Sequence, residues 1–68
     1  MGKITLRAAR VNAGLLQKEA SQLLGVSNKT LSSWENNITV PRADMIDKIC
    51  NLYKVGYDNL IFLPGNPL

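Results

Sequence analysis

At 68 residues the chain has room for one domain, and a chain this short buries only about 60% of the surface it exposes when unfolded, which favours an economical helical fold. A composition of 46% hydrophobic and 19% charged residues is that of an ordinary globular domain and excludes disorder. The net charge of +3 is unevenly placed: Lys3, Arg7, Arg10, Lys18 and Lys29 stand against Glu19 alone up to residue 33, whereas Arg42, Lys48 and Lys54 face Glu35, Asp44, Asp47 and Asp58 beyond it. The front half is therefore the one expected to face a phosphate backbone. One cysteine, Cys50, and no histidine exclude an internal disulfide and a metal-ligand set, as in an intracellular protein. No apolar run approaches the roughly 20 residues of a membrane span, and the N-terminus lacks a signal-peptide core, so a soluble, cytoplasmic protein is expected.

The first predicted helix runs from Thr5, a good N-cap, to about Ala13, with Gly14 as its stop and Leu6, Ala9 and Ala13 on one face. The second, Gln17 to Leu24, groups Ala20, Leu23 and Leu24 and is closed by Gly25. The third starts at Ser27, carries Leu31 and Trp34 as its apolar stripe, and ends at Asn36 and Asn37. Only Gly25 and Val26 join these two helices, which forces a steep crossing. Ile38 to Val40 is β-branched but too short and isolated to pair as a sheet, so it reads as an extended connector. Pro41 precedes a fourth helix to Tyr53, with Ile46, Ile49, Cys50 and Tyr53 inward. A short fifth helix, about Tyr57 to Phe62, is followed by Pro64, Gly65 and Pro67, which cannot continue it. An all-α domain of five short helices over residues 1–68 is expected, with an apolar tail from residue 61.

The stretch from Gln17 to Asn36 meets several demands of one geometry. Two helices meeting at about 90–120° need small residues at their contact, met by Ala20 and Ser21, a tight-turn residue, met by Gly25, and apolar anchors, met by Leu24, Val26, Leu31 and Trp34. The outward face of the second of them is then Asn28, Lys29, Ser32, Ser33 and Asn36, polar and almost uncharged. It lacks the Glu/Lys pairs at i,i+4 spacing of an ordinary solvated helix. Trp34, on the Leu31 stripe, reads as core rather than as a stacking platform, and Cys50 as a small core residue. Without histidine, a nucleophile–base pair or a phosphate-cradling glycine loop, an enzyme reading has nothing to stand on.

These residues resemble the phage repressor/Cro and xenobiotic-response-element class of helix-turn-helix proteins. The resemblance covers about residues 4–62: LRAAR before Gly14-Leu15, then Gln17, the Gly25-Val26-Ser27 turn, Trp34-Glu35-Asn36, Pro41, and Val55 to Leu60. It implies a compact five-helix, lambda-repressor-like domain whose second and third helices form the helix-turn-helix, the third lying in the major groove. Carried over by position, Asn28, Lys29 and Ser33 are base readers with Ser27 and Ser32 as lesser ones, Gln17, Asn36 and Arg42 hold phosphates, and Arg10 pairs with Glu35. The chemistry agrees, since Asn pairs bidentately with adenine, Lys donates to guanine, and a helix N-terminus offers free N–H groups to phosphate. Four residues depart from the family pattern: Leu16 where a Thr or Ser N-cap is usual, Ser21 for Ala, and Asn37 and Lys54 for Gly.

The function so implied is that of a DNA-binding transcriptional regulator of the repressor/Cro type. It would occupy a palindromic double-stranded operator as a homodimer and act by excluding polymerase or a competing regulator. The fifth helix is too short to bury Leu60, Ile61, Phe62 and Leu63 together, which makes these four the expected dimer interface. Neither cofactor, small-molecule ligand nor membrane partner is expected. The alternatives are an antitoxin, a DNA-binding module of a longer regulator, or a protein-interaction adaptor that kept the fold without DNA binding.

Overall fold

A computed structural model of the chain describes residues 3–62. Four α-helices form between the sequence's own punctuation marks: α1 (Leu6–Asn12), α2 (Gln17–Leu24), α3 (Asn28–Glu35) and α4 (Ala43–Tyr53). Two start on side-chain caps, with Thr5 Oγ1 accepting from the Ala8 N–H at 3.1 Å and Ser27 Oγ from the Thr30 N–H at 3.0 Å. Gly25 ends α2 at a φ of 77°, in the left-handed region, and Val26 N–H closes the turn on the Ser21 carbonyl at 3.0 Å. Asn37 and Lys54, which stand where glycine is usual, take φ values of 62° and 58°. Asparagine tolerates that conformation through its short polar side chain, whereas Lys54 holds it at the end of α4 against its own preference. The free carbonyl at the end of α2 finds a cation instead, as Lys48 Nζ donates to the Leu24 carbonyl at 3.2 Å.

The expected fifth helix is not formed. Tyr57–Asn59 make one turn of 3-10 helix, and the chain then extends as β2 (Leu60–Ile61), pairing in parallel with β1 (Ile4–Thr5), Ile4 opposite Leu60 and Thr5 opposite Ile61. A single turn cannot repay helix nucleation, while the extended start of the chain offers unpaired backbone groups immediately alongside. The domain is thus helical and closed by a two-residue bridge between its first and last described elements. Ile38 and Thr39 form a bend and Val40 lies in irregular chain, with Ile38 and Val40 exposed.

The core draws on every helix: Leu6 and Ala9 from α1, Ala20 and Leu24 from α2, Leu31 from α3, Ile49 and Tyr53 from α4, and Leu60 from β2. Trp34 and Cys50 pack half-buried against it, and Ile46 is half-buried. Leu23 was expected inward but is exposed, because Ala20, Ser21 and Leu24 set the buried direction of α2 and Leu23 lies about a quarter-turn away from it. Ala13 is likewise exposed, since α1 closes before it and buries Arg10 beside Leu6 and Ala9 instead. Among the described residues no helix is long and apolar enough to cross a membrane.

Candidate nucleic-acid interface

Helices α2 and α3 meet where α2 carries its smallest side chains. Ala20 is wholly buried there and Ser21 nearly so, and the Ser21 hydroxyl donates back to the Lys18 carbonyl at 2.9 Å. This satisfies a polar group that would otherwise be stranded in the contact. Ser21 Oγ also lies 3.4 Å from Asn28 Oδ1, in the first turn of α3.

The side chains singled out in the sequence fall into three environments. Asn28, Lys29 and Asn36 are exposed along α3, while Ser32 and Ser33 are half-buried. Ser27 is exposed at the N-cap, but its hydroxyl is committed: it accepts from the Thr30 N–H and donates to Thr30 Oγ1 at 2.9 Å. Asn36 Nδ2 donates to Ser32 Oγ at 3.2 Å, which ties two polar residues of the outward face to one another. Arg42 stands free beyond the connector with its side chain 89% exposed and only a 3.9 Å approach to Asp44.

At the far end of α3 the chemistry is the reverse. The Glu35 side chain is fully buried and gathers three cationic or amide partners. Arg10 Nε donates to Glu35 Oε2 at 2.6 Å and Arg10 Nη2 to Oε1 at 3.3 Å, while Arg10 Nη1 caps the Leu15 carbonyl at 2.8 Å. This two-point geometry is the strong form of a carboxylate–guanidinium contact. Gln17 Nε2 donates to Oε1 at 3.1 Å, and the more exposed Arg7 reaches Oε1 and Asn36 Oδ1 at 3.5 Å each. Sequence reasoning left Arg7 as general positive field and gave Gln17 no internal partner; no local signal links residues 18 and 28 positions apart.

Gln17 therefore sits half-buried with its amide on Glu35, at the first position of α2. The N-cap ahead of it is Leu16, which has no side-chain acceptor to offer. Glu19 Oε1 accepts from the Leu16 N–H at 2.9 Å, and the first N–H groups of α2, which like those of any helix start have no intrahelical acceptor, get none from the Leu16 side chain. Such a turn favours a negative group. Tyr53 feels the charges of both Glu35 and Arg10, and its hydroxyl is the buried side-chain polar atom without a hydrogen-bond partner among the described residues. Burial pushes its phenol up to about 12; the Glu35 charge adds to that rise and Arg10 opposes it.

Of the four residues expected at a dimer interface, Leu60 is corrected by the structure. It is 5% exposed and part of the core, held there by its pairing with Ile4. Ile61 and Phe62 are half-buried, Phe62 packing against the core, and Leu63 lies outside the described residues.

Two short helices crossing at small residues, joined through a left-handed glycine, with a polar outer face on the second, define a helix-turn-helix unit. A helix-turn-helix family model matches residues 6–60, and the chain belongs to that family. A curated relative, the HTH-type transcriptional regulator ImmR of Bacillus subtilis (strain 168), is 41% identical over 56 residues, which is 82% of this chain and 44% of the relative. The chain thus spans less than half the length of that relative. No solved structure matches it.

Proposed function

We propose that this chain is a sequence-specific DNA-binding transcriptional regulator of the repressor/Cro type, reading a palindromic operator as a homodimer with α3 in the major groove. The observation that carries this reading is the contrast along α3: Asn28 and Lys29 are exposed at its start, while its end is locked to α1 and α2 through Glu35. A groove-reading helix needs free side chains on a fixed axis, because base edges reward only side chains already aimed at them. Asn28, Lys29 and Ser33 are the base readers, with Ser32 in support and Ser27 limited by its cap. The uncapped first turn at Gln17, together with Asn36 and Arg42, holds phosphates and sets register. The half-buried Ile61 and Phe62, with Leu63 beyond them, remain the surface for a second copy. Binding represses by occupying the site, with no catalytic step, and takes place in the cytoplasm.

A second reading, a module of a longer regulator, is favoured by the length of the relative. It keeps the same reading of α3 and adds a further domain elsewhere. The experiment is a selection of duplexes from random DNA, followed by binding stoichiometry on the selected sequence at two salt concentrations. The expected result is an inverted repeat with half-sites about one helical turn, 34 Å, apart, bound two-to-one with affinity falling as salt rises. Absence of salt-dependent binding to any duplex would leave a protein-interaction adaptor. One-to-one binding would remove the dimer.

A further inference from the structure

Ser21 stands at a helix crossing where packing asks only for a small side chain, and alanine would serve. Its hydroxyl therefore has a use to be found. A serine carries one hydroxyl hydrogen, and at 2.9 Å the Lys18 carbonyl takes it. What Ser21 turns toward the Asn28 terminal atom 3.4 Å away is then a lone pair. An oxygen facing that lone pair is repelled, whereas a half-turn of the carboxamide, which exchanges its nearly identical ends, presents Nδ2 and makes an N–H···O contact.

We propose that Ser21 is a positioning residue, holding the Asn28 carboxamide with its nitrogen inward so that the reading face offers one acceptor and one donor; this rests on Asn28 reading bases, as proposed above. One of the two Nδ2 hydrogens is then engaged by Ser21, and Oδ1 with the other N–H remains. That pair matches the adenine edge in the major groove, an N6 donor beside the N7 acceptor. It does not match guanine, whose N7 and O6 are both acceptors. Ser21 thus narrows Asn28 to adenine and orders its side chain before DNA arrives, which lowers the ordering cost of binding.

The test uses the full chain and duplexes selected from random DNA. The base pair read by Asn28 is identified as the one whose preference is lost in Asn28→Ala. Ser21→Ala, whose smaller side chain fits the crossing, is checked for folding by thermal unfolding. It is expected to lower adenine-over-guanine discrimination at that base pair by roughly three- to tenfold, the loss of one modest hydrogen bond, with random-duplex affinity unchanged. In an Asn28→Ala background the same substitution should change nothing further. In nitrogen-15-labelled free protein, the Asn28 side-chain N–H resonances should move when Ser21 is replaced. If Ser21→Ala keeps full discrimination, or weakens selected and random duplexes equally, the inference is overturned and the reading by Asn28 stands. If Asn28→Ala leaves every base preference intact, that reading falls and this inference with it.

Discussion

The two ends of α3 are built on opposite principles. At its start, Asn28 and Lys29 are exposed, and the contacts that do reach in, the Ser27 cap and Ser21 beside Asn28, orient rather than bury. At its end Glu35 has no exposed side-chain surface and is held by Arg10, Gln17 and Arg7. The difference teaches that a helix of eight residues, too short to be stable alone, is fixed at one terminus so that the other can be left free. Substitutions at the end should therefore be felt in stability, and substitutions at the start in DNA preference.

The largest effect is expected at Glu35. Replacing it with Ala strands the Arg10 guanidinium in a site where its side chain is 11% exposed, and removing one partner of a buried pair costs about 3–5 kcal/mol. A domain of this size has only about 3–10 kcal/mol in total, so the variant should be unfolded or close to it. Urea denaturation of Glu35→Ala, Arg10→Ala and the double variant measures the coupling. A coupling near zero would break the comparison, because the end of α3 would then not be its anchor.

A smaller effect sharpens it at Tyr53, whose phenol feels both charges of the anchor. The Tyr53 phenol is raised to about 12 by burial, above the value of about 10 in an unfolded chain. Its contribution is fully present below pH 10 and is lost as pH climbs through that window toward 12, because the unfolded chain releases its proton first. By pH 11 the native protein should have lost about 1 kcal/mol more than Tyr53→Phe, relative to each at pH 7. At pH 7 itself Tyr53→Phe should be as stable as the parent or slightly more so, since the hydroxyl it removes has no hydrogen-bond partner among the described residues. Denaturation at the two pH values checks both statements, and equal alkaline losses would contradict the first.

Much of this architecture was legible in the sequence because it is written locally. Thr5 and Ser27 cap the helices they precede, Gly25 turns left-handed, and the Leu31–Trp34 stripe faces inward, each within a few residues of its cause. What escaped depends on distant partners. Leu60 and Ile61 read as helix because a two-residue strand carries no period, and their partners Ile4 and Thr5 stand at the other end of the chain. Leu23 counted as core on spacing alone, until Ser21 shared the buried direction with Ala20 and Leu24. At the candidate site, the outward face of α3 follows from helical periodicity. The gathering of Arg7 and Gln17 on Glu35 does not, for it is made by the folding of α1 and α2 around one carboxylate.

The central claim, that the free start of α3 selects the sequence, is tested most directly by the ratio of affinities of Asn28→Ala for a selected duplex and for random duplex. Asn28 is uncharged, so its loss should leave phosphate attraction, and with it random-duplex affinity, unchanged. The account predicts that the ratio falls by the equivalent of about 1–3 kcal/mol, the worth of one bidentate base contact. A ratio equal to the parent's would contradict it.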